Sequence, residues 1–348
     1  MAVFLNRRDP WVAEVKKGAI VRKILFVFVI AALFFATCKE TSNSETVRLY
    51  PVVAEGKVGY VDHEGHIAIE PRFDRAVPFN EGLAAILVGV KWGYVDAEGN
   101  TVIEPQFDFA GSFSEGRADV RIGMRWGFID KKGKVVIEPE YLATRGFSEG
   151  LAAVKTGDNW GCVDKKGNTV LEPVFKLPVT FKEGRGAFFD GEKWGYLDRS
   201  GDTLIPPRFS LVGVFSEGLA PVAYEGKWGY IDKQGSSVIE PQYDFAGPFT
   251  DGLAPVKIGD KWGFIDTTGR VSIEAKFDLA YVFFDELAAV RIGDIWGFIN
   301  RSGEMVIEPQ FAFPGQFSGG IAAVWLSPQE RILIDKTGKV IWPREESD

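Results

Sequence analysis

Two columns of carboxylates are the most obvious chemical equipment in this 348-residue chain. Glu70, Glu104, Glu138, Glu172, Glu240 and Glu308 each precede a proline, and Glu274 precedes Ala275 at the equivalent place. Glu81, Glu115, Glu149, Glu183 and Glu217 each stand just before a glycine. Paired acids at a suitable separation can hydrolyse a glycosidic bond. A catalytic site, however, is normally one unique constellation, and these acids recur in most copies of a repeating pattern. They read first as a structural ladder, next as repeated ligand or cation sites, and last as catalysts. In hairpin register Glu240 falls roughly across from Trp228 with Lys227 nearby, which predicts a cross-strand Glu–Lys contact. Such an exposed pair contributes only ~0–1 kcal/mol.

Other reactive groups are scarce. His63 and His66 are the only histidines, both within Asp62-His63-Glu64-Gly65-His66. Other repeats place Lys, Ala, Arg or Thr at the His63 position, and a zinc site wants three or four defined ligands, so a solvated turn is expected and no metal. There is no G-x-S-x-G elbow and no Cys/His pair, and the glycines follow the repeat instead of opening a helix as a phosphate loop does. No catalytic residue and no cofactor are expected. The remaining candidates are seven indoles, Trp92, Trp126, Trp160, Trp194, Trp228, Trp262 and Trp296. They could serve as platforms for sugar rings, in a manner similar to the cell-wall choline-binding repeats, which hold ligands between units by cation–π contacts. Each Trp is followed by glycine, which reads equally as a packing position where another backbone or ring comes close. Packing is the preferred reading.

Those residues are placed by a period. Every Trp-Gly step is 34 residues, and the register extends back to Val58-Gly59 and forward to an imperfect copy at Arg331–Pro343. A fixed period of this length is the signature of a repeat architecture. Within Lys227–Val256, Trp228–Ile231 is aromatic and β-branched, which favours a strand. Asp232-Lys233-Gln234-Gly235 has the chemistry of a tight, bulged hairpin turn. Val238–Pro241 reads as the return strand, ended by a proline with no N–H to donate, and Leu253–Lys257 as a third strand. The linker between carries two apolar anchors. One is Phe79, Phe113, Phe147, Phe181, Phe215, Phe249, Phe283 and Phe317; the other is Phe73, Phe107, Tyr141, Phe175, Phe209, Tyr243, Phe277 and Phe311. A lone three-stranded meander is marginal in water, so these rings are assigned to a core between stacked units.

The KWGYID…G…VIEPQFD…FSEGLAAV pattern resembles the WG-repeat family, also called KWG repeats, over about Val47–Pro343. The resemblance implies a β-rich repeat array used mostly for binding, with no agreed catalytic residues to carry over. Val58 for Trp, Pro206 for Glu, Ala275 for Pro and the weak last unit depart from the pattern, and the first and last of these suggest capping units. The expected fold is all-β: eight three-stranded units and a partial ninth, stacked as an open superhelical array over residues 47–343. The alternative is a closed β-propeller, for which 34 residues per blade is short.

The ends read differently. Arg22-Lys23, an apolar run Ile24–Ala36 and Thr37-Cys38 describe a secretory signal over residues 1–37. Thirteen apolar residues are too few to span a membrane. The sequence before Cys38 resembles a bacterial lipobox, with Phe35 and Thr37 at places where Leu and Gly or Ala are usual, so Cys38 is the expected lipidation site. A plain secretory signal or an uncleaved anchor is the alternative, and a start at Val21 would give the signal ordinary length. Residues 38–46 form a polar tether and 344–348 a polar tail. Removing residues 1–37 leaves 34 basic and 46 acidic residues, a net charge of −12, which argues against nucleic acid and against anionic lipid head groups. Cys162, the one other cysteine, takes a column otherwise held by Tyr or Phe and reads as a small buried apolar residue. The expectation is therefore a non-enzymatic protein held in the bacterial cell envelope by the lipid on Cys38, or else secreted. Its array would bind an unknown protein partner, or alternatively a surface glycan.

Overall fold

The computed structural model describes residues Arg48–Pro343. All regular structure in them is β, arranged as nine small antiparallel sheets: seven of four strands and, at the two ends, one each of three. The sixth sheet shows the pattern, with strands Leu211–Val212, Ala220–Tyr224, Lys227–Ile231 and Ser237–Tyr243 hydrogen-bonded in chain order. The expected three-stranded unit is thus corrected twice. The linker supplies an additional strand of two residues, and Leu253–Ile258 pairs with Phe245–Ala246 and Lys261–Asp266 and not with Ser237–Tyr243. One sequence repeat therefore straddles two sheets, because a single residue, Asp244, separates Tyr243 from the next sheet's first strand at Phe245–Ala246.

Proline does not end the return strand as expected. Trp228 faces Tyr243 and Tyr230 faces Ile239, so the register slips by two residues across Gly229. Glu240 and Pro241 arch over that glycine, at a bulge where a missing N–H costs nothing. A Cβ on Gly229 would strike the carbonyl of Ile239, and the glycine after every other Trp is enclosed in the same way. This close approach explains the Trp-Gly pair. The predicted Glu240–Lys227 contact does not form; Lys227 Nζ lies 2.7 Å from Asp244 Oδ1 instead.

The expected open superhelical array, with its capping end units, is overturned: the nine sheets are the blades of a closed propeller. Along the chain, each turn glycine packs on an isoleucine or leucine of the preceding blade, as Gly99 on Ile69, Gly133 on Ile103 and Gly303 on Ile273. Gly65 of the first blade makes the corresponding approach to Ile341 of the last. Around it Val52, Val61, Ile321, Leu333 and Ile341 form one core cluster. Arg331 Nη1 donates to Pro51 O at 2.9 Å, and Tyr50 Oη sits 3.0 Å from Ser318 O and 2.9 Å from Gly319 O. In most blades a one-residue transfer and a two-residue first strand let 34 residues suffice.

Blades join through aromatic pairs. Tyr94 meets Phe113 at 4.9 Å between ring centroids, Tyr230 meets Phe249 at 4.7 Å, and Phe264 meets Phe283 at 4.9 Å, each pair crossing from one blade to the next. Phe113, Phe147, Phe181, Phe215, Phe249, Phe283 and Phe317 are buried, and Phe79 is half-buried. Burying such a ring is worth roughly 1.5–3 kcal/mol. Where Cys162 replaces the ring, its thiol is buried, donates to Val179 O at 3.6 Å and has its pKa pushed up to about 12 by burial.

Candidate interaction site

Three sets of residues could present function: the indole column, the carboxylate columns and the hairpin tips. The indoles come first because their faces are the best ligand platforms in the sequence. Trp92, Trp160, Trp228, Trp262 and Trp296 are buried, and Trp126 and Trp194 are half-buried. Their faces are occupied by the protein's own side chains. Phe109 lies between Trp92 at 5.5 Å and Trp126 at 5.3 Å, and Phe245 lies between Trp228 at 5.0 Å and Trp262 at 5.3 Å. The cations near them are also internal: Arg121 over Trp126, Arg145 over Trp160 and Arg291 over Trp296, each just under 6 Å from the ring centre. The column's geometry is that of a seam between blades.

The acids before glycine stitch the same seams. Glu183 adopts a left-handed backbone, φ 51°, and its Oε2 accepts from the Gly218 N–H of the next blade at 3.0 Å. Lys233 Nζ, also of that blade, lies 3.0 Å from the same oxygen. Glu115 repeats the arrangement with Gly150 and Lys165, and Glu149 with Gly184 and Arg199. Burial opposes ionisation of Glu115, but the Lys165 ammonium and the Gly150 N–H outweigh it and hold the carboxyl below its usual range. The acids before proline, by contrast, lie exposed on the edge strand of each blade. Among the described residues no group of three or more His, Cys, Asp or Glu is placed to hold a metal. His63 and His66 sit exposed in the first blade's turn.

Two features escaped the reading of the columns. Asp119 stands where other blades carry Ala85, Ala153 or Pro221. Its Oδ2 accepts from Thr144 Oγ1 at 2.9 Å across the seam between the third and fourth blades, and burial raises its pKa despite that bond. The hairpin tips are the second. Each joins the two central strands of a blade, so all nine crowd one face of the ring. The position two before Trp is Val90 and Met124 in the second and third blades, 82% and 88% exposed, but Asp158, Glu192, Asp260 and Asp294 in the fourth, fifth, seventh and eighth. The signal was visible in the sequence as a column where residue type changes character between copies.

A base beneath each tip varies too. In the second blade, Asp74 Oδ2 accepts from the tip Gly89 N–H at 2.6 Å while its Oδ1 binds Lys57 at 2.6 Å, and Lys57 and that N–H hold its carboxyl below the usual range. Asp108 does the same for Gly123 and Lys91. In the fourth blade Leu142 takes the aspartate's place, so Arg125, the counterpart of Lys91, has no carboxylate there. It donates instead to Glu140 O at 3.2 Å.

Comparison with known proteins bears on the fold and the family. A solved structure described as the eukaryotic initiation factor is similar in fold, with a TM-score of 0.61 at 11% identity, covering 85% of this chain and 95% of that one. The dihydro-heme d1 dehydrogenase NirN also matches, at 12% identity and a TM-score of 0.44, over 79% of this chain and 75% of that one. No curated protein matches the sequence. The model of the WG containing repeat matches eight times, over residues 59–91, 92–123, 126–160, 160–194, 194–228, 228–262, 262–294 and 296–324. The chain, a ring of 34-residue Trp-Gly units, belongs to the WG containing repeat family.

Proposed function

We propose that this protein is a non-enzymatic interaction scaffold, a rigid ring that offers its hairpin-tip face to a protein partner. The observation that carries the reading is the division of labour within the repeat. The Trp, Phe and Glu columns are spent on holding blades together, and the tips are where the copies differ. Variable positions on a rigid frame are the usual place for binding. Occupied indole faces favour a protein partner over a sugar.

In this proposal the ring is held in the bacterial envelope by lipid on Cys38. That residue and the tether lie outside the described residues. Tyr50–Ala54 runs toward the tip Glu55-Gly56, and Arg48 approaches Ser318 on the opposite face of the ring. Affinity capture with the full chain, run beside a glycan array, tests the reading. A specific protein partner with no glycan supports it; saturable glycan binding lost on substitution of the indoles contradicts it. Palmitate labelling that survives Cys38→Ala would remove the anchor from the proposal.

A further inference from the structure

We infer that the tips of the second and third blades form a docking surface for an acidic, apolar-bearing segment of another protein, a deeper statement that rests on the scaffold reading above. Val88, Val90, Ile122 and Met124 project from two neighbouring tips, all exposed, and Phe109 and Leu142 continue the apolar surface at their bases. Isoleucine or tyrosine four residues before Trp is common to other blades, as Ile258 and Tyr224 show, but there an acid follows at the tip. Only here do two adjacent tips lack one. Solvent-exposed apolar groups clustered in this way mark interaction sites.

Charge selects the partner. Lys57 and Lys91 are matched by Asp74 and Asp108. Arg125, next to Met124, has lost its matching aspartate to Leu142 and reaches only a backbone carbonyl. A carboxylate from a partner would give Arg125 the acceptor that Asp74, Asp108, Asp244 and Asp278 give to lysines at the same place in other blades, and such charge-assisted bonds set specificity and register. A lipid surface fits less well. A bilayer plane laid on this face would meet all nine tips, and Asp158, Glu192, Glu225, Asp260 and Asp294 would meet anionic head groups.

The test is selection of displayed random dodecapeptides on the full-length protein, followed by affinity measurement with synthetic copies. The expected winners combine apolar residues with Asp or Glu. Their Kd rises at least tenfold on Val90→Asp/Met124→Asp, and Arg125→Glu shifts preference from acidic to lysine-containing versions of the same peptide. Both variants lie on exposed tips, and an unchanged thermal midpoint shows that they fold. Selection of no peptide, or of peptides that bind the variants as well as the parent, overturns the assignment, while the scaffold reading would survive the second result through another face. Vesicles of phosphatidylglycerol are the control: co-sedimentation abolished by Val90→Asp/Met124→Asp would overturn it in favour of a lipid surface.

Discussion

Where each blade touches its neighbour it is nearly a copy of the others, and where it turns back at its hairpin tip it is not. Tyr230 and Phe249 at one seam have their counterparts in Tyr94 and Phe113 at another, whereas Met124 and Asp260 share a column and have opposite character. The contrast separates what the ring needs from what it displays. A seam side chain is constrained by two blades at once, so it tolerates little change in volume. A tip side chain is constrained by neither.

Substitutions should therefore divide sharply. Phe249→Ala removes a fully buried ring from a seam and is expected to cost ~3–5 kcal/mol, measured as a shift in denaturant midpoint. Met124→Ala, at a tip, should change stability by no more than about 0.5 kcal/mol. Equal losses at the two sites would erase the distinction. Gly229→Ala tests the interior of a blade from the backbone side. Its Cβ would enter the space of the Ile239 carbonyl and the Pro241 nitrogen, and overpacking of this kind costs ~1–3 kcal/mol. The smaller polar contribution is read with Glu183→Gln, which weakens the bond to Gly218 and the ion pair with Lys233. A loss near 1 kcal/mol is expected, diminishing as salt is raised.

Asp119 supplies the pH axis. Burial raises its pKa in the folded ring above the unfolded value. A raised acid contributes stability that is full below the unfolded carboxylate pKa and is lost as pH rises through the folded one. Asp119→Asn, which does not titrate and keeps an acceptor for Thr144, should then be more stable than the parent at pH 7. The difference should shrink as pH falls toward 4. A difference independent of pH would mean that the carboxyl is not enclosed.

The period, the all-β character and the buried Phe column were legible in the residues because one physical demand repeats in every copy. Closure was not. Nothing in a single unit shows how far its neighbour is rotated, and the contact that closes the ring, Gly65 on Ile341, joins the two copies that match the pattern least well. The blade boundary was misplaced because Asp244 alone carries the chain from one sheet to the next, too short a connection to read as a junction. Proline misled in the same way: Pro241 suggested the end of a strand, while the glycine opposite it permits a bulge through which the strand continues. Of the candidate site, the carboxylates before glycine showed their repetition but not their acceptors, which lie a blade away. The tips required comparing copies for what differs instead of what recurs.

Both halves of the account, seams that hold and tips that display, depend on the ring being closed. Spin labels at Val53→Cys and Glu330→Cys, on exposed residues of the first and last blades, measure this by dipolar spectroscopy. Cys38→Ser removes one background thiol, and burial of Cys162 protects the other. Sheets packed face to face lie about 10 Å apart. A closed ring therefore predicts a single narrow distance of roughly 15–25 Å once label length is added. A broad distribution centred beyond about 50 Å, as nine sheets stacked in an open array would give, contradicts it.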